Sequence, residues 1–222
     1  MELLADHAHR RNLLGLWGQN LKAVALPWLL LGVAVSGAVA WSFLRATAPY
    51  SAAQAFDLLG ICFGIGGIAA GLMLYAPDQQ AGTFELLWLA TGSERALLRL
   101  KILTLLPGLI LWQAIAVGFA AWYLDGLMAI LPAVIFLATT AWFLLAWMAW
   151  AGTLLPNTWA SGLFGAGLAI AGYLTLGTQS VLSPFANPFL MPQGTGITNR
   201  VMLFFLTLIL LEAAATRLRK AL

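Results

Sequence analysis

The sequence predicts an all-α integral membrane protein, and three observations predict it. Of 222 residues, 62% are hydrophobic and 9% charged. The mean hydropathy is +0.90. The apolar residues gather into runs of about twenty, the length that crosses roughly 30 Å of hydrocarbon as a helix. An ordinary soluble domain carries about 25% charged and about 45–50% apolar residues, so this chain lacks the polar surface of a water-exposed globule. That balance excludes a disulfide-stapled secreted domain, a disordered chain, a nucleic-acid reader and a sizeable water-soluble catalytic domain. Cys62, the single cysteine, lies in an apolar run and can form neither an intrachain disulfide nor a thiolate metal site.

Residues 1–222 read as one transmembrane domain with six spans. The first runs from Val24 to Phe43 and stops at Arg45; the second runs from Phe56 to Ala76 and stops at Pro77 and Asp78. The third covers Ile102 to Leu124, closed by Asp125 and Gly126, and the fourth Leu127 to Leu155, closed by Pro156 and Asn157. The fifth covers Thr158 to Gly177 and the sixth Ile197 to Ala215. These runs are too long for barrel strands and show no period of two. Ala38-Val39-Ala40 resembles a signal-peptidase site, but the apolar run continues through Trp41 and Phe43, so the segment reads as a retained first span.

An even number of spans places both termini on one side, and basic residues mark that side as cytoplasmic. Arg10, Arg11, Lys22, Arg95, Arg99, Lys101, Arg217, Arg219 and Lys220 fall there, leaving Arg45 and Arg200 opposite. The formal charge of +3 is therefore read as topology rather than as a nucleic-acid surface.

Two connections are more than turns. Pro77 to Lys101 holds the charges Asp78, Glu85, Glu94, Arg95, Arg99 and Lys101. Burying six charges at the bilayer centre would cost roughly 15–20 kcal/mol, so the segment belongs in water or at the interface. Phe84, Leu86, Leu87, Trp88 and Leu89 form a short apolar helix, and Thr91-Gly92-Ser93-Glu94 supplies a break with Thr91 as N-cap and Glu94 as its capping-box partner. The shape expected is helix, elbow, helix. Gln179 to Asn199 combines Pro184, Pro188 and Pro192 with Phe185, Phe189, Leu190 and Met191, a mixture suited to short re-entrant or interfacial segments on the outer side.

No catalytic constellation is present in the sequence. His7 and His9, spaced i, i+2, point to different sides of a helix and share a metal poorly. No serine-histidine-acid set, paired membrane aspartates, HExxH or phosphate loop occurs. The chain is read as a non-catalytic subunit without a metal or cofactor of its own. Asp57, at the outer end of the second span, and Glu212, at the inner end of the sixth, are the intramembrane ionisable candidates, with interfacial snorkelling as the plainer account. No charged ladder runs through any span.

Gly60, Gly64, Gly67 and Gly71 follow i, i+4, i+7, i+11 and leave one face of the second span without side chains, a surface for close helix packing within the subunit or between subunits. Gly162, Ala166, Ala169 and Gly172 or Tyr173 make a second small face on the fifth. Trp17, Trp28, Trp41, Trp122 and Trp159 sit near span ends as belt anchors; Trp112, Trp142, Trp147 and Trp150 lie deeper.

The run Asp78-Gln79-Gln80-Ala81-Gly82-Thr83-Phe84-Glu85-Leu86-Leu87, followed by Thr91-Gly92-Ser93-Glu94-Arg95 and Lys101, resembles the coupling-helix region of type 2 ABC exporter permeases. The likeness extends to a basic amphipathic interfacial helix over residues 10–26, the six-span plan and the outer segment 179–199 carrying Ser183-Pro184-Phe185. Its specific part is the elbow. Family members often place proline there, where this chain has Ala90-Thr91-Gly92, and glycine supplies the bend instead. The resemblance implies a permease of the cytoplasmic (inner) membrane, pairing with a second permease copy as a homo- or heterodimer, surrounded by lipid and gripping a separate ABC ATPase subunit that binds ATP and Mg. By the same resemblance, Asp78, Gly82, Thr83, Phe84, Glu85, Leu87, Trp88, Thr91, Glu94 and Lys101 are the coupling residues. Glu85 and Glu94 would meet basic residues of the ATPase, Gly82 would permit close backbone approach, and Phe84, Leu87 and Trp88 would fill its apolar groove. The chain is similar also to the small haem exporter permease of cytochrome c maturation, and a non-transporting membrane scaffold subunit is the alternative of another class.

Overall fold

The computed structural model describes residues 15, 18, 28, 30–42, 44–45, 51–74, 87, 89, 91–123, 127–154, 158–192 and 194–221. The described residues form six helices and no strand. These are α1 (Leu30–Ser42), α2 (Ala52–Met73), α3 (Glu94–Tyr123), α4 (Leu127–Ala151), α5 (Thr158–Leu176) and α6 (Thr195–Ala221). Windows in α2, α3, α4 and α6 are long and apolar enough to cross a membrane, while α1 and part of α5 are shorter apolar helices. The chain is thus a helical protein of membrane character. The expected interfacial helix over 10–26 lies outside the described residues apart from Gly15 and Gly18.

Local chemistry places the helix ends. Ser51 caps α2: its hydroxyl accepts from the Gln54 backbone N–H at 3.3 Å, and the Gln54 side chain accepts from the Ser51 N–H at 3.0 Å. This reciprocal box starts the helix four residues before the expected Phe56. Gly177, at φ 63°, ends α5 with its N–H on the Tyr173 carbonyl at 2.9 Å. The third span begins at Glu94 rather than Ile102, because the charged stretch 94–101 continues straight into the apolar one with no breaker between them.

The centre of the fold is α4, which packs most extensively on α2 and then on α6. The glycine face of α2 lies along α4 with both helices running the same way. Gly60 faces Leu137, Gly67 faces Ala141 and Gly71 faces Met148. A Cβ on Gly67 would sit 2.4 Å from the Ala141 carbonyl oxygen, and one on Gly71 2.2 Å from the Met148 Cβ. Within the subunit, this glycine face is used for close contact with α4. Leu59, Phe63, Leu137, Leu144 and Leu145 fill the space around this seam and are buried.

The small face of α5 is narrower than its sequence suggests. Gly162 meets Leu72, Gly165 meets Met148 and Ala151, and Ala169 is buried, but Gly172 faces open space. Trp147 donates its indole N–H to the Gly165 carbonyl at 3.0 Å, fastening α4 to α5. Trp28 departs from the belt role expected of it. It is buried against Gly108 of α3 and meets Trp112 edge to face at 5.3 Å, because Gly32, Gly66 and Gly108 leave room for two indoles between helices. Trp41 and Trp122 do lie exposed, with the Arg45 guanidinium 4.4 Å above the Trp41 ring. Trp17 and the Trp159 side chain lie outside the described residues.

Candidate functional site

Two clusters of polar side chains stand out, one at the start of α3 and one at the start of α6. In the first, Thr91 closes a helical segment, its hydroxyl donating to the Leu87 carbonyl at 3.0 Å. Gly92 then turns through φ 71°, and Ser93 starts α3 by accepting the Ala96 N–H on its hydroxyl at 3.2 Å. The expected capping box of Thr91 with Glu94 is therefore corrected. The N-cap is Ser93, Thr91 belongs to the helix before, and Glu94 is the first residue of α3. The physical reason is Gly92: the left-handed residue ends one helix as its C′ position, so the next can begin only after it. Gly92→Ala is expected to lower stability by about 1 kcal/mol, and Gly92→Asn by less, since a Cβ disfavours positive φ and asparagine tolerates it better. Thermal unfolding in mild detergent measures both.

Of the other expected coupling residues, Leu87 is buried and Lys101 lies buried on α3. Asp78, Gly82, Thr83, Phe84, Glu85 and Trp88 lie outside the described residues. Arg95, next to Glu94, forms a salt bridge with Glu212 of α6, with both side chains more than half exposed. The Thr216 hydroxyl donates to the Glu212 backbone carbonyl at 2.8 Å. Ser93, Glu94, Arg95, Glu212, Ala215 and Thr216 line an open cleft of about 310 Å³. The elbow is thus tied at one point to the helix it starts and at another to the last helix of the bundle.

The second cluster involves the chain between α5 and α6, which folds as consecutive turns and dips into the bundle. Phe185 reaches Gly64, where a Cβ would lie 2.7 Å from its ring. Gly64 is twelve residues beyond Ala52, about 18 Å along the α2 axis at 1.5 Å per residue. Ser183, Pro184, Ala186 and Asn187 are buried. Such a segment must find partners for its backbone carbonyls away from water, and side chains of α4 and α6 supply them. Arg200 Nη2 donates to the Ala186 carbonyl at 2.6 Å, and Nη1 to the Pro184 carbonyl at 3.2 Å and the Thr140 hydroxyl at 3.0 Å. Thr140 itself donates to the Pro184 carbonyl at 2.6 Å. Asn199 Nδ2 donates to the carbonyls of Val181 at 2.6 Å and Ser183 at 2.9 Å. Asn187 Nδ2 donates to Asp57 Oδ1 at 2.8 Å and to the Ala53 carbonyl at 3.0 Å.

Asp57 and Glu212, weighed in the sequence as snorkelling side chains, therefore each bridge to another element. By charge distribution alone Arg200 is an outward-side basic residue near the start of the sixth span. In the structure it is 7% exposed and stacked 4.7 Å from the Phe136 ring centroid. The signal available for it was the polar pair Asn199-Arg200 inside the first turns of the sixth span, with Thr139-Thr140 interrupting the apolar run of α4. Among the described residues no group of three His, Cys, Asp or Glu side chains comes together to hold a metal, and His7 and His9 lie outside them. Compared with protein-family models, curated proteins and solved structures, the chain matches none.

Proposed function

We propose that the chain is the membrane-spanning permease subunit of an ATP-driven ABC exporter, moving its substrate across the cytoplasmic membrane with energy from a separate ATPase subunit. The observation that carries this reading is the elbow. A helical segment ending at Thr91, a left-handed Gly92 and a capped α3 give a bend of defined geometry rather than a slack loop. The Arg95–Glu212 bridge ties that bend to α6. A push delivered to residues 78–91 by a partner would therefore reach α3 directly and α6 through the ion pair. In this reading the closing ATPase drives the elbow and reorients a path lined by two permease copies, with Glu85 and Glu94 meeting basic residues of the ATPase. A scaffold that only packs against partners needs no such charged, bent lever.

The test is gentle extraction of the tagged chain from its native membrane, mass spectrometry of what co-purifies, and an ATPase assay. The expected result is a stoichiometric ABC ATPase that is lost, or hydrolyses ATP uncoupled from function, in Glu85→Lys, while that variant elutes like the parent chain. Co-purification of respiratory or biosynthetic subunits alone would overturn the reading in favour of a scaffold.

A further inference from the structure

The segment between α5 and α6 is fastened by three helices, and each fastening runs through a neutral partner. Asn187 bonds Asp57 on α2. Thr140 on α4 and Arg200 on α6 share the Pro184 carbonyl, and Arg200 holds the Ala186 carbonyl as well. The neighbours Ala186 and Asn187 are thereby bonded one to a base and the other to an acid, and among the described residues no salt bridge joins Arg200 to a carboxylate. The network is also incomplete. Arg200 Nε and Asn199 Oδ1 are buried with no hydrogen-bond partner. A buried polar network with missing bonds raises the energy of the state that buries it and narrows the gap to a state in which those atoms reach water.

We propose that residues 181–187 are a releasable plug, seated in the bundle by the Arg200–Thr140 latch and able to withdraw as a unit. Three features fit a two-state element better than a fixed cap. The segment has no helix or strand of its own, so its seating depends on side chains from other elements. Its carbonyls are captured by α4 and α6 at neighbouring points, so a small shift of one helix past the other breaks several bonds together. Phe185 enters a recess that exists because residue 64 is glycine, and it meets the Tyr173 ring edge to face at 5.1 Å.

The test uses the full-length chain in lipid nanodiscs, with Cys62→Ala removing the natural thiol and Ser183→Cys placing a probe in the buried plug. A sulfonated maleimide, too polar to enter lipid, then reports withdrawal by its rate of labelling. Arg200→Gln is expected to label about tenfold faster than the probe chain alone, and Thr140→Val about threefold faster, as latch bonds are removed. Thr175→Val, whose hydroxyl bonds only carbonyls of its own helix, should leave the rate unchanged. Equal rates in all chains would mean a fixed cap and overturn the proposal. If Arg200→Gln fails to give a monodisperse species, Thr140→Val decides alone. No ATPase is involved, so the result stands apart from the transporter reading.

Discussion

Gly67→Leu is expected to abolish recovery of monodisperse protein in mild detergent, the largest single-residue effect anticipated outside the elbow. A Cβ at residue 67 would approach the Ala141 carbonyl oxygen to 2.4 Å and its Cα to 3.0 Å. Both are backbone atoms of α4, which no rotamer change can move aside. The helices would have to separate along the seam where Leu59, Phe63, Leu137 and Leu144 are buried. Even alanine there overpacks a rigid contact, at about 1–3 kcal/mol, and leucine adds three further carbons to the same collision. Gly60→Ala meets its nearest atom, Leu137 Cδ2, at 4.0 Å, and Gly167→Ala meets nothing within that distance. Both should behave as the parent chain. Size-exclusion profiles and thermal midpoints of the three variants test the seam, and a Gly67→Leu protein matching the other two would show that α2 and α4 do not pack in this way.

The second large effect is expected at Asn187, whose side chain is fully buried and makes three bonds. It donates to Asp57 and to the Ala53 carbonyl and accepts from the Phe189 N–H at 3.0 Å. Asn187→Asp removes both donors and sets a second carboxylate against Asp57. Loss of two buried hydrogen bonds, one of them to a charged group, together with like-charge repulsion, should destabilise the protein by about 3 kcal/mol or more. The double variant Asp57→Asn with Asn187→Asp restores an amide facing a carboxylate and should recover a large part of that loss, although the Ala53 carbonyl stays without its donor. Thermal unfolding of the four proteins forms a double-mutant cycle. Additive losses, without recovery, would remove Asp57 as an anchor of the segment before α6.

Much of the architecture was legible in the residues. The membrane character follows from composition, since 9% charge cannot coat a water-exposed surface. The glycine face of α2 was readable from its i, i+4, i+7, i+11 spacing, because helical periodicity alone puts those residues on one side. What the spacing could not supply was the partner, α4, since a smooth face accepts any helix that fits.

At the elbow the residues responsible for the bend were visible and their division of labour was not. Thr91, Ser93 and Glu94 all suit a helix start, and the cap shifts to Ser93 because Gly92 takes the left-handed turn ahead of it. Trp28 was indistinguishable from a belt tryptophan until Gly108, distant in sequence, was seen to make room for it.

By itself the sequence determined the membrane class, the helical runs, the breaks between them and the small-residue faces, because each depends on composition or on neighbours within a few turns. Only the tertiary structure decided that Arg200 lies buried on loop carbonyls, that Asn187 joins Asp57, and that Glu212 pairs with Arg95 across 117 positions of sequence. Those bonds join residues whose separation along the chain carries no periodic signal. The bonds of Arg200 and Asn187 arise because a polar atom shut away from water takes whichever partner the packing of the helices brings within reach, whereas Arg95 and Glu212 pair at the surface, where α3 and α6 bring opposite charges together.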